Sequence, residues 1–309
     1  VRVSNLEKKV GNLYWSGDAR MRYTASSSDK VADKYDGRIR LNVKGQVNEA
    51  TYVQGQFVNE MNFKDEDTSN TKMAQIYVNH NFGKNVAVRL GRQPIVFGNQ
   101  GGWLYNGLEG YDGAQASYNN GKLSLTTGFG QLNASDKAAV KKEDMYFAKG
   151  AYDFGFAKLN ADYIAAKETN DNTEIYGVGL NIPVQKFNVF GEYWNNTTAK
   201  DYDTAWNAGL SYGKADWKKA GTWDLSVAYN DVDAGVYFGG GTWHNDMLKN
   251  FGTRNYLAAD NLTFWTALAN VTLQKNVQLH AEYAFAADAE GTNGVDPDDS
   301  WTVSLNYKF

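Results

Sequence analysis

The 309-residue sequence has no cysteine, only three prolines and three histidines, and no long apolar run. Without cysteine there is no disulfide framework, no thiolate metal site and no cysteine nucleophile. Scarce proline leaves long hydrogen-bonded ladders uninterrupted. No segment approaches the roughly 18 consecutive apolar residues of a membrane-spanning helix. That excludes a helical membrane protein but not a β-barrel, whose outward and inward residues alternate so that each strand averages to polar. A net charge of −4 argues against nucleic-acid binding. No G-x-S-x-G, H-E-x-x-H, P-loop or dinucleotide fingerprint is present, so no enzyme is expected.

What the chain does have is aromatic residues and glycine: 31 Gly, 20 Tyr, 15 Phe and 9 Trp. They suit strands, interfacial girdles and tight turns. Period-two alternation runs along the chain. Trp15, Gly17, Ala19, Met21 and Tyr23 alternate with Ser16, Asp18, Arg20, Arg22 and Thr24. Ile39, Leu41 and Val43 alternate with Arg38, Arg40, Asn42 and Lys44. At the end, Trp301, Val303, Leu305, Tyr307 and Phe309 share one face, and Thr302, Ser304, Asn306 and Lys308 the other.

Connections alternate in length as well. Short ones lie near residues 48–50, 83–85, 119–121, 153–155, 183–186, 213–221 and 274–276. Longer polar ones lie near residues 26–35, 64–71, 93–111, 131–144, 167–173, 195–203, 231–260 and 287–299. Together they predict an all-β, antiparallel barrel of about sixteen strands over residues 14–309, with both chain ends on the short-turn side. Residues 231–260 leave room for one further hairpin. A soluble β-sandwich also alternates, but it has no reason to sort its loops by length.

Residues 1–13 follow another rule. Val3, Leu6, Val10 and Leu13 recur at 3-4-3 spacing around Glu7, Lys8 and Lys9. That is the seam of a coiled-coil stalk, an amphipathic linker helix or a disordered leader, and under two heptads does not decide among them. The chain opens on Val1 without a signal-peptide pattern, so an export signal is expected upstream.

A barrel of this size would be hollow, because roughly sixteen strands leave an aqueous lumen whereas about eight are filled by side chains. The inward residues are mostly polar, and no large apolar set remains to fill the interior; a channel is the expected function. Arg20, Arg22, Arg38, Arg40 and Arg89 fall on inward positions and predict a basic pore wall. The connection Gln93–Tyr111 carries Ile95, Val96, Phe97, Trp103, Leu104 and Leu108 among glycines. Exposing such groups costs about 25 cal/mol per Å², so this loop is expected to fold inward and narrow the pore. Phe97, Trp103, Tyr105, Glu109 and Asp112 are its candidate constriction residues. Glu109 and Asp112, with Glu60, would supply an acidic side facing the arginines. Alternatively, Trp103, Tyr105 and Tyr111 would form an aromatic path for sugars in a substrate-specific channel.

Acid/base chemistry has little to build on. His280 with Glu282 is a weak candidate pair better read as lumen lining, His80 sits on the outward register, and His244 with Asp246 lies in the longest loop. The acidic clusters Asp65–Asp67 and Asp296–Asp299 would face an outer surface where Ca²⁺ could bind, but they lack calcium-loop spacing. No cofactor or metal is expected.

The segment from Trp301 to Phe309, with a terminal Phe and an aromatic two residues before it at Tyr307, resembles the last strand of bacterial outer-membrane proteins. The resemblance implies that Tyr307 and Phe309 are read by the barrel-assembly machinery. As a whole, Tyr14–Phe309 resembles the sixteen-stranded general porins, which implies an outer-membrane homotrimer with periplasmic termini and a constricting third loop. Joined to residues 1–13, it is similar to the tethering porins (OmpM type) of diderm Firmicutes. This implies that Val3, Leu6, Val10 and Leu13 end a stalk, and that a wall-binding domain outside this sequence ties the membrane to the cell wall.

Overall fold

The computed structural model describes residues 11–28, 32–64, 69–133, 144–167, 172–236, 259–291 and 296–309. Every regular element among them is a β-strand. The first eight are β1 (Leu13–Ser26), β2 (Lys34–Gln46), β3 (Thr51–Asn62), β4 (Asn70–Phe82), β5 (Val86–Phe97), β6 (Tyr105–Asn119), β7 (Leu123–Leu132) and β8 (Asp144–Asp153). The second eight are β9 (Lys158–Lys167), β10 (Asn172–Val184), β11 (Phe187–Asn196), β12 (Thr204–Gly213), β13 (Trp223–Asp233), β14 (Asn261–Gln274), β15 (Val277–Glu290) and β16 (Ser300–Lys308).

Each strand pairs antiparallel with its sequence neighbour, and β1 pairs with β16 to close the barrel. Closure leaves no sheet edge with unpaired N–H and C=O groups. Beyond the last ladder residue, Gly17 N–H donates to Phe309 O at 2.7 Å and Phe309 N–H donates back at 3.0 Å. The predicted short turns all join consecutive strands at one rim. Among the turn residues in the left-handed region are Gly83 (φ 69°) and Gly121 (φ 92°), where nothing crowds the Cα and only the backbone conformation asks for glycine.

Strand alternation sorts the faces. Trp15, Ile76, Leu90, Phe129, Tyr152, Val178 and Trp223 stand exposed on the outer face, and glutamine, asparagine, threonine and charged groups point inward. Phe82, Phe187 and Tyr193 are exposed on this face as well.

The structure departs from expectation at three places. Leu13 does not end a stalk; it opens β1 and pairs with Gly45, while Val3, Leu6 and Val10 lie outside the described residues. The third long connection is shorter than the apolar run suggests, since β5 continues to Phe97 and β6 starts at Tyr105. Pro94, which has no N–H to give, sits where the ladder skips from Gln93 to Ile95, so the strand passes it by a bulge. Third, the interior does hold an apolar set. Leu132, Met145, Ile164, Ile175, Trp194 and Phe264 are inward, buried, and packed with Phe97, Trp103, Tyr105 and Tyr111 at the long-loop end of the barrel. Alternation read on β1, β2 and β16 passes over these positions, because they lie on the strands between.

Candidate functional site

The inner wall of β1 and β2 is a ladder of charge. The register sets Arg20 opposite Arg38, Arg22 opposite Asp36, and Arg40 opposite Asp18. Directly opposed residues share a face, so all six side chains point into the lumen. Arg22 Nε donates to Asp36 Oδ2 at 2.8 Å, and Arg40 Nε donates to Asp18 Oδ2 at 2.8 Å. The inner pair is held more loosely: Arg20 stands 3.7 Å from Asp36 and Arg38 3.8 Å from Asp18. Arg20 and Arg38 are both largely buried, and the Nε of each lacks a hydrogen-bond acceptor. Glu60 on β3 is the register partner of Arg38. Four arginines thus meet acids on the neighbouring strands, which tempers a purely basic wall. Arg89 is separate, on β5, donating to Asn79 Oδ1 at 3.0 Å with its guanidinium over the Tyr77 ring.

Residues 98–104 cross the interior to the far strands. Gly98 N–H donates to Asp162 on β9 at 3.0 Å, and Asn99 N–H to the Glu192 carboxylate on β11 at 3.1 Å. Gln100 reaches Asn181 on β10, and the Trp103 indole N–H donates to Asn230 Oδ1 on β13 at 2.9 Å. Glu192 also accepts from Trp194 Nε1 at 2.9 Å and Asn207 Nδ2 at 3.3 Å, so its buried charge is hydrogen-bonded from three sides. Lys149 on β8 donates to the Val96 carbonyl at the root of the loop. Because β9 and β10 lie half-way round a sixteen-strand ring from β1 and β2, the loop rests on the wall opposite the arginine ladder.

The other expected constriction residues are placed differently. Phe97, Tyr105 and Tyr111 are strand residues in the apolar cluster, with Phe147 edge-on to Phe97 at 5.9 Å and to Tyr111 at 5.3 Å. Trp103, Tyr105 and Tyr111 are 2%, 5% and 0% exposed, so they offer no aromatic path to a passing solute. Glu109 ion-pairs with Lys72 of β4 rather than facing the arginines across open space. Asp112 is not in the lumen. It opposes Arg92 and Gln131 in the column of outward Ile76, two residues from outward Leu90 and Phe129, and binds Arg92 through two hydrogen bonds of 2.6 and 2.7 Å. Regular pairing runs from Arg89 and Gln115 to Gln93 and Tyr111, so alternation from inward Arg89 puts Arg92 and Asp112 on the outer face. Asp162, Glu192 and Asn230, which seat the loop, carry no local signal beyond being polar at inward positions.

Among the described residues no group of three or more histidine or acidic side chains is placed to hold a metal. Asp299 accepts from the Tyr283 hydroxyl and Asp296 from the Ala289 N–H at 3.0 Å, whereas Asp65, Glu66 and Asp67 lie outside the described residues. His280 and Glu282 meet at 2.9 Å on the inner wall.

No family model matches the sequence, and no curated protein does. Solved structures do. A mutant of the Rhodopseudomonas blastica porin superposes with a TM-score of 0.64 at 13% identity, covering 96% of this chain and all of that one. OmpT, an outer membrane protein of Vibrio cholerae folded in vitro and in its trimer form, gives 0.64 at 12% identity, with 96% and 99% covered. The chain has the closed sixteen-stranded barrel fold seen in these porins.

Proposed function

We propose that the protein is an outer-membrane porin, a water-filled channel through which ions and small hydrophilic solutes diffuse passively. The observation that carries this reading is the division of the lumen: a charged wall on β1 and β2 faces a loop seated on the opposite side. The apolar outer belt fits lipid, and in lipid a closed barrel is the only β-structure that satisfies its backbone. The short-turn rim and both chain ends lie on the periplasmic side, and three copies assemble, as the Vibrio protein does. Tyr307 and Phe309 serve the assembly machinery, and no enzymatic step is assigned. Tethering to the cell wall rests only on the resemblance of residues 1–13, and binding of a longer chain to isolated cell wall tests it. Reconstitution into planar bilayers tests the channel. Stepwise conductance is expected; a folded barrel that never conducts overturns the reading.

A further inference from the structure

The inner wall of β11–β15 contains a recess away from the arginine ladder and beside the loop seat. The register lines up small residues across it, Ser211 opposite Ser226 and Gly209 opposite Ala228. Phe190 on one side leans over Gly209, so that a Cβ there would meet its ring, and Leu268 stands opposite Ser226 on the other side. Small side chains between bulky ones leave a hollow, here about 340 Å³, roofed by Trp103 and Gln100 of the inward loop. That size falls within the roughly 300–1,000 Å³ of small-molecule pockets.

The polar edge of the hollow is built in advance. Asn270 Nδ2 donates to Asp224 Oδ1 at 2.7 Å, which fixes the Asn270 amide so that its Oδ1 faces His280 Nδ1 at 2.6 Å. His280 Nε2 meets Glu282 Oε1 at 2.9 Å. The second Asp224 oxygen accepts the Ala215 N–H at 2.9 Å. Asp224, Asn270, His280 and Glu282 are thus held in one hydrogen-bonded chain, and Lys214 lines the hollow beside them; spare carboxylate lone pairs, the ammonium and the Ser211 and Ser226 hydroxyls offer hydroxyl groups both acceptors and donors. Leu268 and the Phe190 ring give the hollow an apolar end.

We infer that this recess is a binding site for a neutral, ring-shaped polyol of monosaccharide size, taken up from the water column with its hydroxyls toward Asp224, Asn270 and the serines and its C–H face toward Leu268 and Phe190. The inference deepens the channel reading and rests on it for access, though not for binding. It also moves sugar recognition from the buried aromatic residues at the root of the loop to the wall of β11–β15 next to Trp103.

D-Glucose is the probe. In bilayers it should reduce the current saturably, and in ligand-observed saturation-transfer NMR on the detergent-folded barrel it should receive magnetisation from the protein. Ser226→Leu, which fills the hollow, and Asp224→Asn, which alters its polar edge, should each weaken both responses at least about fivefold, equivalent to about 1 kcal/mol. Electrophoretic heat-modifiability confirms that each variant is folded, and Ser226→Thr, which keeps the hydroxyl, should retain the response if Ser226→Leu fails to fold. Transfer to glucose without current would fault the channel and leave the site standing. No saturation transfer, an equal response in the slot-filling variant, or a stronger response to gluconate or lysine than to glucose would overturn the site.

Discussion

Gly17 and Phe309 exchange both of their backbone hydrogen bonds across the β1–β16 seam, and the Phe309 ring occupies the space a side chain at position 17 would need. An added Cβ would come within 2.5 Å of the ring and 2.6 Å of the Arg40 carbonyl. Gly17→Val should therefore cost about 1–3 kcal/mol through overpacking. A lower temperature for loss of the folded electrophoretic band checks this, and an unchanged one would mean the ring moves aside freely.

The charge ladder makes two predictions of opposite sign. Replacing Arg20 and Arg38 with glutamine removes positive charge from the wall and should shift permeability toward cations, by about twofold or more. Replacing Asp18 and Asp36 with asparagine removes the compensating acids and should shift it toward anions. Zero-current potentials in a salt gradient read both. A shift in the same direction for both pairs would detach the ladder from selectivity.

Asp112 supplies the contrast. Its ion pair with Arg92 lies on the outer face and both partners are partly exposed, so Asp112→Asn should change stability by less than about 1 kcal/mol. It should also leave the zero-current potential where it was. A clear change in selectivity would put Asp112 back in the lumen.

The loop seat can be loosened in steps. Trp103→Phe keeps the ring but strips Asn230 Oδ1 of its indole donor, and an unpaired buried acceptor costs about 1–3 kcal/mol. Glu192→Gln sets an amide N–H₂ among three donors that need an acceptor, and should disturb the loop more. Single-channel recordings should show greater open-channel noise and larger conductance in the order wild type, Trp103→Phe, Glu192→Gln. The reverse order would mean the loop is held by packing rather than by these bonds.

The strand count was legible in the sequence because barrel strands announce themselves twice, by period-two alternation and by loops that differ in length. Of residues 231–260, the one place left open, 231–233 end β13 and 237–258 lie outside the described residues. The inward arginines followed from the same periodicity. Their partners did not: Asp18 and Asp36 are local residues whose pairing depends on register, and register is set by hydrogen-bond stagger that alternation does not encode. The seat of residues 98–104 was legible only as a need, since apolar side chains in a loop must be buried somewhere. Which strands bury it is decided by Asp162, Glu192 and Asn230, between about 64 and 127 residues away in sequence. The apolar run up to Tyr111 masks the start of β6, in which alternation from inward Gln115 places Asp112 outward.

The apolar mass inside the long-loop half changes what the arginine ladder does. Hydrocarbon there displaces a medium that screens charge strongly with one that screens it little. Field lines from Arg20 and Arg38 cannot spread evenly through a full cylinder of water and are pressed into the crescent left beside β1 and β2. In the proposed channel each ladder charge would consequently act on an ion more strongly than the same charge in a uniformly wet barrel of equal girth, and the buried hydrocarbon of β7–β14 would shape the electrostatics without carrying any charge itself.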